Sequence, residues 1–156
     1  MTAPKRFYFE DFVPGRVWEA RSPVLTSEEI IDFGRKFDPQ DFHTDENKAK
    51  QTVYGGLIAS GWHTLSLSMR MICDSFLIDA DSLGSPGLEK LRWTKPVRPG
   101  DSLRLRMTVR EATPSRTRPD RGTVLSLCEV YNQHDELVMT MEGYTIFGRR
   151  DAALPT

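Results

Sequence analysis

The sequence predicts an α+β domain in which one long apolar helix lies against a curved antiparallel sheet. Three observations carry this expectation. Helix signals and irregular stretches occupy the first half of the chain, a long apolar segment rich in small residues follows, and the second half alternates apolar and polar residues in strand-length runs.

The first helix is announced by Thr26-Ser27-Glu28-Glu29. This is a capping box, in which the Thr26 hydroxyl accepts from the Glu29 amide and Glu29 reaches back. Ile30, Ile31, Phe33 and Phe37 continue at roughly helical spacing. The helix should stop near Phe37, because Pro39 disfavours helical geometry at Asp38. Residues Asp38 to His43 are expected as a loop, and Thr44-Asp45-Glu46 as the start of a short second helix. Gly55-Gly56 marks a break. Beyond it, Leu57, Ile58, Leu65, Met69, Ile72 and Phe76 recur among Ala59, Ser60 and Gly61, which predicts a long helix apolar on most sides.

Such a helix needs a large cover. Leu103, Leu105, Met107 and Val109 alternate with Arg104, Arg106, Thr108 and Arg110, the period of a strand with one buried face. Leu88 to Val97, Thr123 to Asn132 and Leu137 to Arg149 are three further strand candidates, with Asn132-Gln133-His134-Asp135 as a hairpin turn. Thr113 to Gly122 carries Pro114 and Pro119 and should be a surface loop. One sheet wrapped about one helix is the hotdog architecture, expected here as a single domain over residues 1–156. A sheet with an uncovered edge favours pairing with a second copy, so a homodimer or higher homo-oligomer is expected.

Composition narrows the function classes. The formal net charge of −1 provides no global field for nucleic acid or membrane. Cys73 and Cys128 sit among apolar neighbours without CxxC spacing, which suggests buried thiols in a reducing compartment. The first residues lack a signal-peptide core, and Leu57 to Ile72 is too short and too polar to span a bilayer. A cytoplasmic location is the expectation.

There are three histidines, at 43, 63 and 134. His134 falls in the expected turn and should be solvated, and His63 lies in the long helix as a core residue. None shows metal-ligand spacing, so no metal is assigned. His43 shares its loop with Asp38 and Asp41. Water addition needs one group to take a proton and another to deliver one, and imidazole ordinarily does either near neutral pH. Taken alone, the spacing favours a capping Asp and an ordinary loop His, since Asp and His in one loop are common. Gly55 and Gly56 before an apolar helix could let a carbonyl approach free N–H groups at its positive end, or could simply permit a turn.

Phe37-Asp38-Pro39-Gln40-Asp41-Phe42-His43-Thr44-Asp45, followed by Tyr54-Gly55-Gly56-Leu57-Ile58-Ala59-Ser60, resembles the MaoC-like dehydratases, which include the (R)-specific enoyl-CoA hydratases. Arg92 to Asp101 resembles the family's strand-and-turn signature. The resemblance implies an acid–base pair at Asp38 and His43 with a water between them. It also implies thioester carbonyl binding near Gly55 and Gly56, a helix hydroxyl at Ser60, and flanking contributions from Gln40 and Tyr54. The implied substrate is a 2-enoyl thioester of coenzyme A or a carrier protein, hydrated reversibly to a 3-hydroxyacyl thioester without metal or redox cofactor. Gln40 replaces the usual Asn, Asp41 the usual Pro and Tyr54 a frequent His. Asp41, if close to Asp38, would make one carboxylate harder to ionise. Arg92, Lys95, Arg98, Arg104 and Arg106 are candidates for coenzyme phosphates, and Phe42, Trp62, Met69, Met71 and the loop from Asp79 to Pro86 for pocket depth. Two alternatives are a hotdog thioesterase, disfavoured because residues Gly56 to Cys73 contain no acid, and a non-catalytic acyl-thioester-binding subunit.

Overall fold

A computed structural model describes residues 4–151. Five antiparallel strands form one sheet: β1 (Val17–Val24), β2 (Gly87–Trp93), β3 (Ser102–Pro114), β4 (Arg121–Tyr131) and β5 (Leu137–Gly148), ordered β1-β3-β4-β5-β2. Against its concave face lies α4 (Gly61–Ser75), and before it come α1 (Ser27–Phe37), α2 (Asp41–Thr44) and α3 (Glu46–Ala49). This is the expected hotdog arrangement.

The period-two pattern places the core. Leu103, Leu105, Met107 and Val109 of β3 are all buried, as are Val124, Cys128 and Val130 of β4. They meet Met71, Ile72 and Phe76 from α4 and the turn after it. Phe7, Phe9 and Phe12 close one end of this layer, with Phe12 stacked on Phe147 at 4.0 Å between ring centres.

Several local expectations need correction. The first half contains a full strand, β1, where helix and irregular chain were expected. Its signal is short: Trp18 and Ala20 turn toward the core while Glu19 and Arg21 face out, and Pro23 is tolerated because the strand lies at the sheet edge. Residues Asp41–Thr44 are a single helical turn rather than loop. Strand β2 ends at Trp93, so the chain to Val97 is irregular, and the surface loop narrows to the residues between Pro114 and Arg121. Cys128 is buried but Cys73 is half-exposed, and both are free thiols. No helix among the described residues is long and apolar enough to cross a membrane.

The long helix starts later than expected. Leu57, Ile58, Ala59 and Ser60 are buried but not helical, and Ser60 is the N-cap, its hydroxyl accepting from the Trp62 N–H at 3.3 Å. A buried apolar run and a helix look alike in sequence until the capping residue is weighed.

Helix α1 begins as its capping box requires. Thr26 Oγ1 accepts from Glu29 N–H at 3.2 Å, and Glu29 accepts from Thr26 N–H at 2.9 Å. Ile30 is fully buried beneath it. Thr26→Ala should therefore lower stability by about 1 kcal/mol, read as a lower urea midpoint with an unchanged m-value. An unchanged midpoint would show that the cap contributes nothing here.

Candidate active site

Pro39 ends α1 at Phe37, and Asp38 takes the C-cap with non-helical φ −150° and ψ 71°. Its N–H still donates to Gly34 O at 2.8 Å, so the residue is tied to the helix while its side chain leaves the helical path. The turn α2 then brings His43 back toward it. His43 Nε2 lies 3.2 Å from Asp38 Oδ2. His43 is buried, and Asp38 keeps partial access to solvent.

Each side chain is held from its far side. The His43 Nδ1 stands 2.7 Å from the Ile58 carbonyl, which can only accept, so Nδ1 carries a proton and Nε2 is the working nitrogen. Asp38 Oδ2 also accepts from Ser60 Oγ at 2.7 Å, and Oδ1 accepts from Gln40 Nε2 at 2.8 Å. Burial pushes the Asp38 carboxyl up, but the Ser60 hydroxyl, the Gln40 amide and the imidazole together hold it below the usual carboxylate range.

Asp38 and His43 therefore converge as expected, but at 3.2 Å, too close for the expected water to lie on the line between them. They touch directly, along one edge of each group. That edge opens on a cavity of about 530 Å³ lined by both residues together with Gln40, Tyr54, Gly61 and Trp93. Phe42 packs edge-on against the His43 ring at 4.6 Å and against Tyr54 at 5.2 Å. Trp62 and Trp93 form a T-shaped pair at 5.9 Å on the outer rim.

Asp41 does not perturb the pair. It turns outward to Lys48 Nζ at 3.1 Å, with both groups largely exposed. Ser60 is 1% exposed and spends its hydroxyl on Asp38 rather than on the cavity wall, so its expected contact with substrate becomes support for the acid. The glycine pair also moves away from the expected place. Gly55 sits in a turn at φ 66°, its N–H donating to Thr52 O at 3.0 Å, and Gly56 lies beside the Arg98 guanidinium. Because the helix starts at Gly61, that residue's N–H takes the first helical position, where the helix itself supplies no acceptor.

Of the basic candidates, Lys95 lines the cavity and pairs with Glu136, while Arg98 donates to Tyr54 O at 2.6 Å and straps that residue in place. Arg104 is engaged with Asp135 on the far side of the sheet at 3.1 Å. Arg92 donates to its neighbour Leu91 O. Trp62 and Phe42 do line the cavity, but Met69 borders a separate apolar pocket of about 210 Å³ with Met107 and Cys128, and Met71 is buried in the core. His63 is buried, as expected of a core residue, and stacks on Phe33 at 4.5 Å with its Nδ1 unpartnered. Burial holds it below the usual histidine range. His134 is exposed in the β4–β5 turn, as expected.

Sequence reasoning missed three contributors: the Ile58 carbonyl, Gly61 and Trp93. Ser60-Gly61 was visible as a cap followed by a helix. The other two depend on backbone and long-range placement, which no local pattern records.

A hotdog domain with a carboxylate–imidazole pair beside the mouth of its central helix is the class of protein that this fold and site define. The chain belongs to the MaoC-like family, whose MaoC like domain matches residues 11–129. The uncharacterized protein YdeM of Bacillus subtilis is 31% identical over 134 residues, covering 86% of this chain and 92% of YdeM. The crystal structure of a MaoC-like dehydratase from Rhodospirillum rubrum is 38% identical with a TM-score of 0.85, covering 92% of this chain and 98% of its own. The (R)-hydratase PhaJ1 of Pseudomonas aeruginosa shares the fold, with a TM-score of 0.72 at 23% identity over 96% of this chain and 94% of its own.

The network around Asp38 sets a titration. Ser60→Ala removes one of the bonds that lower the Asp38 carboxyl, so its protonation should move up toward the ordinary range. The stability that Asp38 contributes is present above its unfolded pKa and is lost as pH falls through the lowered folded value. The variant should therefore lose that stability at a higher pH than wild type, besides about 1 kcal/mol for the lost helix cap. Carbon-13 NMR of the Asp38 carboxyl reads the shift directly, and an unmoved titration would refute the assignment.

Proposed function

We propose that the protein hydrates a 2-enoyl thioester reversibly to a 3-hydroxyacyl thioester, with Asp38 and His43 as the acid–base pair. The observation that carries this is the direct Asp38–His43 contact, in which a carboxylate held ionised and an imidazole with one fixed proton share an edge open to the cavity. Membership of a family named for dehydratases supports the same chemistry.

The step balances on these two groups, starting with a proton on Nε2. Asp38 takes a proton from water as the water oxygen bonds to the β carbon. The π electrons move onto the thioester, whose carbonyl oxygen gains enolate charge. The α carbon then takes the proton from His43 Nε2. Transfer from the Asp38 carboxyl to His43 across their contact restores the starting state. The Gly61 N–H and the positive end of α4 are the donors for the enolate oxygen, in place of Gly55 and Gly56. Gln40 and Ser60 orient Asp38, and Tyr54 forms cavity wall.

The thioesterase alternative has little support. The acid within α4 is Asp74 in its last turn, paired with Arg70 at 2.9 Å and remote from the cavity. The thiol carrier is coenzyme A or a carrier protein, which suits a place in fatty acid metabolism, and two free cysteines suit the cytoplasm. A homodimer is supported by exposed Leu88 and Trp93 on edge strand β2 and exposed Trp62 on α4, beside the cavity mouth.

Asp38→Asn and His43→Gln should each cut hydration of an enoyl-CoA by at least about a hundredfold while circular dichroism stays native. The assay is loss of the conjugated double bond across a panel of enoyl-CoA esters. Turnover near wild type in either variant, or thiol release from saturated acyl-CoA, would reject the proposal. Light scattering should give twice the 17.8 kDa chain mass. A single-chain mass would remove the dimer.

A further inference from the structure

Gly34 stands in the last turns of α1, fully inside the helix and buried. Glycine is a poor helix former, and nothing in the backbone here demands it, since Gly34 is not among the glycines at positive φ. The neighbouring atoms supply the reason. A Cβ added at Gly34 would fall 2.7 Å from the His43 carbonyl oxygen, 2.9 Å from His43 Cβ and 3.1 Å from its carbonyl carbon. The bare Cα of α1 therefore lies directly on the backbone of His43.

The same residue also holds the other member of the pair, because its carbonyl accepts the Asp38 N–H at 2.8 Å. His43 cannot retreat from a bulkier neighbour without loss. Its ring is pinned to Ile58 O, and the Phe42 carbonyl before it accepts the Ile58 N–H at 3.0 Å. A methyl group at position 34 must therefore push α1, with Asp38, away from His43 and stretch their 3.2 Å contact. Gly61 offers a contrast: a Cβ there would meet the Trp93 indole, a side chain that can swing aside.

We infer that Gly34 is a positioning residue for the acid–base pair, setting the Asp38–His43 separation through simultaneous contact with both. This rests on the proposed roles of Asp38 and His43. The test is Gly34→Ala, examined by steady-state kinetics on an enoyl-CoA, by its pH–rate profile and by nitrogen-15 NMR of the His43 imidazole. The expected result is a kcat lower on the order of ten- to a hundredfold with KM nearly unchanged, because misplacement acts on the reacting geometry. The pH profile and the His43 Nε2 resonance should shift with it, while unfolding stays cooperative. If the variant does not fold in plain buffer, the same readings are taken in a stabilising osmolyte such as trimethylamine N-oxide, with wild type in the same buffer as reference. A folded variant with wild-type kcat and an unmoved Nε2 resonance overturns the inference. Asp38→Asn and His43→Gln run alongside: should they keep full turnover, the proposed reaction fails, and the Nε2 resonance alone decides whether Gly34 sets the separation.

Discussion

The site depends on how one helix ends. Pro39 denies Asp38 a helical continuation, yet the Asp38 amide still closes the last bond of α1, so the residue is anchored at its backbone while its side chain leaves the helical path. Placed at any other point of the turn, the carboxylate would be a solvated surface acid. Here it meets a buried imidazole and two neutral donors, and an ionised group is tolerated at a half-buried position because each of its oxygens is satisfied.

The four-residue interval between Asp38 and His43 acquires meaning through α2. One helical turn reverses the chain and returns His43 to the end of α1. The Ile58 carbonyl then selects which nitrogen faces the acid. Behind both stands the irregular buried run Leu57 to Ser60, which delivers that carbonyl, the Ser60 hydroxyl and the start of α4 within four residues. Sheet and helix thus act as a frame, and the chemistry sits on the short connections where they join.

Much of this is legible in the sequence. The capping box at Thr26, the stop at Pro39 and the alternation in β3 are local signals, written in residues that touch each other, and each led to the right element. Strand β1 escaped because an edge strand with two inward residues and a proline carries little periodicity. The start of α4 was misplaced because an apolar run does not distinguish a buried extended segment from a helix, although Ser60 could have arbitrated. Asp38 and His43 were identifiable, but their direct contact, the outward turn of Asp41 and the role of the Ile58 carbonyl depend on tertiary placement. The glycine pair misled for a physical reason: glycines permit turns as readily as they permit ligand approach, and Gly55 serves its own turn.

The tryptophans are unevenly distributed over this frame. Trp18 lies among Phe7, Phe12 and Phe76 at the closed end, whereas Trp62 and Trp93 stand together where the cavity meets solvent. The chain has three in all. Its intrinsic emission is therefore split between a more enclosed indole and a pair beside the cavity, and a molecule arriving in the cavity perturbs the pair first. The protein carries a built-in optical probe at the entrance to its cavity, with an internal reference at the opposite end.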